Sequence, residues 1–99
     1  MTAGNIVGVD PHRETFAATV LDLRGGEVGH AHFANDRDGH AAAIAWATEF
    51  GPIDRWGIEG ASGLGRHLAE YLVASDCDVR DVPPHKTSLR QRGGSPGFC

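Results

Sequence analysis

A chain of 99 residues has room for one domain around a single core, and 40% hydrophobic with 22% charged residues excludes wholesale disorder. The net charge of −4 divides unevenly: residues 1–81 hold all 13 acids against six Lys/Arg, whereas residues 82–99 carry Lys86, Arg90 and Arg92 and no acid. An acidic body repels a phosphate backbone, so nucleic-acid binding requires a metal ion, the basic tail or further sequence.

The first element is Asn5-Ile6-Val7-Gly8-Val9-Asp10-Pro11-His12, a short apolar run that ends in a carboxylate. It reads as a buried central strand delivering Asp10 to its tip. Pro11-His12-Arg13 breaks the run, and Thr15 to Leu23 resumes it with Phe16, Thr19, Val20 and Leu21, a composition suited to strand. Arg24-Gly25-Gly26 is a hairpin turn, because glycine accepts positive φ without steric cost. Glu27 to Phe33 returns as a third strand with Val28, His30 and His32 on one face, completing an antiparallel meander.

The pattern changes at Asn35-Asp36-Arg37-Asp38, a helix cap with acids in the first turn, followed by the alanine-rich helix Gly39 to Phe50. Ala43, Trp46, Ala47 and Phe50 recur at helical spacing and are expected to pack on the sheet. Gly51-Pro52 stops the helix. A fourth strand, Ile53 to Glu59, has the form of the first and also ends in an acid. Gly60-Ala61-Ser62-Gly63 then leads into a second helix, capped by Ser62, with Leu64, Leu68, Tyr71 and Leu72 on one side. Cys77 to Val82 is a short charged strand suited to a sheet edge, and Pro83-Pro84 ends it. His85 to Arg92 can start a helix that Gly93-Gly94-Ser95-Pro96-Gly97 cannot continue, so residues 93–99 read as a disordered tail.

The order β-β-β-α-β-α-β, with helices on an apolar five-stranded mixed sheet, is that of the ribonuclease H-like arrangement, an α/β class, and other mixed α/β folds share it. If the first and fourth strands are parallel neighbours, backbones about 4.8 Å apart bring Asp10 and Glu59 close enough to hold one divalent ion, Mg²⁺ or Mn²⁺. Each acid taken singly is an ordinary turn residue, and the pairing is what points to a site. His12 can reach a phosphate bound beside Asp10. Ser62 and Arg66, at a glycine-rich helix start, can bind a phosphate through free amides and a guanidinium, although Gly63 and Gly65 equally serve tight packing. Lys86, Arg90 and Arg92 can follow a nucleic-acid backbone. His30 and His32 have no cysteine or carboxylate partners at zinc spacing, and with His12 and His40 they read as surface histidines. Trp46 and Trp56 read as core. Cys77 and Cys99 form no metal or redox motif, and no apolar run approaches the ~18 residues of a membrane span, so a reduced, cytoplasmic setting is expected.

Three segments carry a resemblance: Val7-Gly8-Val9-Asp10-Pro11-His12-Arg13-Glu14-Thr15-Phe16, Trp56-Gly57-Ile58-Glu59-Gly60-Ala61-Ser62-Gly63-Leu64-Gly65-Arg66, and Asp78-Val79-Arg80-Asp81-Val82-Pro83-Pro84. Together they resemble the amino-terminal domain of the DEDD transposases of bacterial insertion sequences, which is similar to the Holliday-junction resolvase RuvC. The resemblance implies a RuvC-like domain over residues 1–92, Asp10 and Glu59 as the first two catalytic acids, and DNA transposition by metal-dependent phosphoryl transfer. It also implies DNA and an element-encoded guide RNA as partners, and a homo-oligomer in the intact protein. The two remaining acids and a carboxy-terminal nucleophilic serine have no counterpart, since no Asp or Glu follows Asp81. A truncated or frame-shifted product, inactive alone, is therefore expected. Two other classes fit less: an actin-like or sugar-kinase-like nucleotide-binding half, for which Pro11-His12-Arg13-Glu14 lacks the threonine- and glycine-rich hairpin, and a non-catalytic module assembling with intact transposase.

Overall fold

The computed structural model describes residues 4–83. In chain order the elements are β1 (Asn5–Pro11), β2 (Thr15–Leu21), β3 (Glu27–Ala34), α1 (Arg37–Thr48), β4 (Ile53–Glu59), α2 (Arg66–Ala74) and β5 (Val79–Val82). They form one sheet of order β3-β2-β1-β4-β5. β1 is central, antiparallel to β2 and parallel to β4, while β5 lies parallel to β4 at the edge. This is the mixed, ribonuclease H-like arrangement that the element order predicts.

Alternation along the strands decides which side is core. Val7 and Val9 of β1, Phe16, Ala18 and Val20 of β2, and Trp56 and Ile58 of β4 are buried against Ala43 and Ala47 of α1 and Leu68 and Leu72 of α2. Both helices thus cover one face. The intervening residues, among them Gly8, Asp10, Ala17, Thr19, Gly57 and Glu59, line a shallow hollow of about 440 Å³ on the other.

Several element ends differ from the sequence reading, each for a local reason. β2 stops at Leu21 because Asp22 turns to serve the hairpin: its carboxylate accepts from the backbone N–H groups of Arg24 and Gly26, each at 2.9 Å. Those bonds hold the Asp22 carboxyl below the usual carboxylate range, the Gly26 amide contributing most. α1 begins at Arg37 because Asp36 is the cap, accepting from the Gly39 N–H at 2.8 Å. It ends at Thr48, since Glu49, Phe50 and Gly51 bond back only three residues. Phe50 then lies over Gly29 of β3, where an added Cβ would sit 2.5 Å from its ring, rather than extending the helix face. Trp46 is only partly buried, wedged between the rings of Phe33 and Phe50 at 5.4 and 5.3 Å, whereas Trp56 is fully enclosed.

The largest departure is at α2. Ser62 is not its cap: the helix starts at Arg66, with Gly65 at the cap position and no side-chain capping bond. Gly60 adopts φ +66 and its carbonyl oxygen accepts from both Gly63 and Gly65, so residues 60–65 fold into a compact turn before the helix begins. Leu64 is left outside the helix and 54% exposed, not on its buried side. β5 begins at Val79 because the Cys77 N–H still bonds to Leu72, closing α2. The helix expected from His85 to Arg92 and the tail 93–99 lie outside the described residues. Among the described residues no helix is long and apolar enough to cross a membrane.

Candidate functional site

The register between β1 and β4 aligns Gly8 with Gly57 and Val9 with Ile58. One step further along, Asp10 and Glu59 stand on adjacent parallel strands, on the face opposite the buried Val9 and Ile58. Both line the 440 Å³ hollow, and both also line a smaller one of about 250 Å³ beside Pro11, Gly60, Gly63 and Leu64. The Asp10 side chain is 60% exposed, so a solvated ion or a phosphate can reach it without displacing protein. Gly8 lines the same hollow, while Gly57 is buried there, with the Val82 side chain 3.3 Å from where its Cβ would stand.

Two carboxylates at one rim suit Mg²⁺ or Mn²⁺, which bind through one or two carboxylates and complete their shell with water and substrate phosphate oxygens. Among the described residues no group of three His, Cys, Asp or Glu side chains gathers to hold a metal ion. The donor set therefore fits a weakly held hard cation and does not fit a closed structural site.

The other site residues predicted from the sequence divide. His12 stands beside the acids, its Nε2 3.5 Å from the Asp10 carboxylate, with both side chains open to solvent. Ser62 and Arg66 do not join them: they line a separate apolar hollow along α2 with Ala69, Val73 and Ala74, and the Arg66 guanidinium lies 4.0 Å from Glu70. Gly65 is a packing glycine, since an added Cβ would meet Ile58 at 2.5 Å and Pro11 at 3.3 Å. Lys86, Arg90 and Arg92 lie outside the described residues. His30 and His32 are exposed on β3 with their rings edge to face, and His30 Nδ1 is 2.8 Å from the Thr19 hydroxyl. His30 also lines the hollow that holds Asp10 and Glu59. Strand alternation put it on a face with His32; only the sheet order shows that this face is the acids' own.

His40 is not a surface histidine. It is 3% exposed, its ring set between Phe16 and Tyr71, and its Nε2 lies 2.9 Å from the Asn35 side-chain oxygen. Burial pushes its pKa below the usual imidazole value; the Asp36 carboxylate opposes this and His67 adds to it. A lowered folded-state value means that the unfolded chain binds the extra proton more readily. Stability is thus complete above the unfolded value of about 6.5 and falls as pH drops toward and through the folded one. Urea unfolding at pH 7.5 and 5.5 should show a lower midpoint in acid, with a smaller drop in a His40→Phe variant. An equal drop in both would assign the effect elsewhere.

Comparison with known proteins gives two kinds of likeness. The crystal structure of Archaeoglobus fulgidus Pelota, a protein with inter-domain structural plasticity, superposes with a TM-score of 0.54 at 16% identity, covering 84% of this chain and 28% of that one. At that identity the likeness concerns the fold alone, and this chain spans little more than a quarter of the length of that protein. No curated protein matches the chain. The model of the IS110-type DEDD transposases, described as Transposase, matches residues 7–96, nearly the whole length. With that extent of match, the chain belongs to the IS110-type DEDD transposase family.

Proposed function

We propose that this chain is the amino-terminal portion of a DNA transposase domain, in which Asp10 and Glu59 supply two of the acids for metal-dependent phosphoryl transfer on DNA. The observation that carries the reading is the convergence of two carboxylates at the open ends of neighbouring parallel strands, in a member of a transposase family. A divalent ion bound there would polarise a phosphoryl oxygen and lower the pKa of a bound water. The chain's own groups do the rest. Asp10 and Glu59 bind the cation and offset its charge; His12, when protonated, offers a donor to a phosphate oxygen beside Asp10. Gly8, with no side chain, lets a sugar–phosphate strand approach the hollow closely. Lys86, Arg90 and Arg92 supply positive charge that offsets repulsion from the acidic body.

Two acids are half of the set that the resemblance implies. The chain alone is expected to bind metal weakly and to leave branched DNA uncut, acting with an intact relative or with acids from elsewhere, and with a guide RNA. Titration with Mn²⁺, followed by electron paramagnetic resonance, should give saturable binding that falls about tenfold or more in Asp10→Asn and in Glu59→Gln, because each removes a full charge at contact distance. Binding unchanged in Asp10→Asn would remove the site, and turnover of branched DNA by the pure protein would overturn the expected inactivity.

A further inference from the structure

The two loops that follow the acid-bearing strands are held by one side chain. The Asn35 amide nitrogen donates to the carbonyl oxygen of His12, at 2.9 Å, and to that of Leu64, at 3.2 Å. His12 lies two residues past Asp10 in the β1–β2 turn, and Leu64 lies in the turn that follows Glu59. The Asn35 backbone is itself anchored, its N–H bonding to the Glu14 carbonyl at 2.8 Å. Because two carbonyls demand a donor, the nitrogen end of the amide must face the loops and the oxygen end must face His40. That oxygen accepts from His40 Nε2 at 2.9 Å, which requires the proton on Nε2. The His40 ring is in turn immobilised in the core by Phe16 and Tyr71.

The turn after Glu59 has a second clasp, the Ala61 N–H bonded to the Asp81 carboxylate at 2.9 Å, but that one ties it to β5. Asn35 is the clasp that joins it to the turn after Asp10. We propose that Asn35 and His40 are positioning residues for the acid pair: His40 fixes the orientation of the Asn35 amide, and Asn35 ties the start of the β1–β2 turn to the end of the 60–65 turn, setting how the two loops stand against each other and thereby the alignment of the Asp10 and Glu59 carboxylates. Neither lines the hollows that hold the two acids. The proposal deepens the reading of Asp10 and Glu59 as metal-binding acids and rests on it for its functional consequence.

Two substitutions at His40 separate positioning from packing. His40→Phe keeps a ring between Phe16 and Tyr71 but removes the donor that orients Asn35. His40→Gln gives up the ring yet can present an amide N–H near the place of Nε2. The backbone amide resonances of residues 12–15 and 60–65, assigned by nuclear magnetic resonance, should shift together in Asn35→Ala and in His40→Phe and return toward the wild-type positions in His40→Gln. Mn²⁺ affinity should follow the same order, falling in Asn35→Ala and in His40→Phe and recovering in His40→Gln. A packing role alone predicts the reverse, with His40→Phe harmless and His40→Gln damaging. That reversed order, or a shift of one loop without the other in Asn35→Ala, would overturn the proposal. The Asp10→Asn control distinguishes the two failures: wild-type Mn²⁺ binding that does not depend on Asp10 defeats the functional reading, while the coupled loop shifts still decide whether Asn35 and His40 act as a clasp.

Discussion

Replacing Trp56 by alanine is expected to lower the free energy of unfolding by about 4 kcal/mol, within the range for emptying a large aromatic site in a closed core. Trp56 is 1% exposed and the largest of the fully buried side chains. A domain of this size has roughly 5–15 kcal/mol of stability in all, so the variant should sit near the edge of folding at room temperature. The consequence reaches the acids as well. Trp56 and Ile58 point into the core from β4, and because side chains alternate, their burial obliges Glu59 to face the opposite side, where the hollow lies. Urea denaturation followed by circular dichroism measures the loss, with Trp46→Ala as comparison. Trp46 lies only partly buried at the margin of the core, and its removal should cost less than half as much. Equal losses would show that the wedge of Phe33, Trp46 and Phe50 supports the sheet as strongly as the centre does.

Gly39→Ala should be nearly as damaging, and with a sign opposite to helix propensity. Alanine in place of glycine within a helix ordinarily gains about 1 kcal/mol. At this position the added methyl would fall on the Ala34 carbonyl group, only 2.7 Å from its carbon and 2.9 Å from the Ala34 nitrogen. Backbone atoms cannot rotate aside as a side chain can, so the start of α1 must lift from β3. A net loss of about 3 kcal/mol is expected, the upper part of the usual cost of overpacking. For a chain this short that corresponds to a fall in the thermal midpoint on the order of 15 °C. A raised midpoint would mean that α1 can shift off Ala34 freely. The displacement would also carry Asp36, which caps the helix, and His40, which holds Asn35.

Much of the molecule was legible in the order of its residues. Short apolar runs ending in an acid announced β1 and β4, strand-favouring composition announced β2, and the change to helical spacing after Asn35 announced α1. Those signals are local: they depend on which side chains lie two or four residues apart, and neighbouring residues report that directly. Asp10 and Glu59 also stood out locally, as acids ending apolar runs. The misread ends have a common origin in contacts from outside the element. Phe50 kept the helical spacing but lies over Gly29, and Ser62 had the right chemistry for a cap but falls in a turn organised by the positive φ of Gly60. Leu64 was counted into the helix for the same reason.

By itself the amino-acid sequence determined the element order, the apolar faces, the two acid-tipped strands and, through its motifs, membership of a transposase family. Tertiary structure alone decided that both helices cover the same side, that His30 shares the acids' hollow, and that His40 is buried with Asn35 bridging two loops. The physical reason is distance along the chain. Asn35 meets partners 23 and 29 residues away, and Asp10 is brought level with Glu59 only when two parallel strands, separated by a hairpin and a helix, settle into register. Hydrogen bonds and packing at such separations depend on how the sheet closes over its helices, and no periodicity within a single element records that.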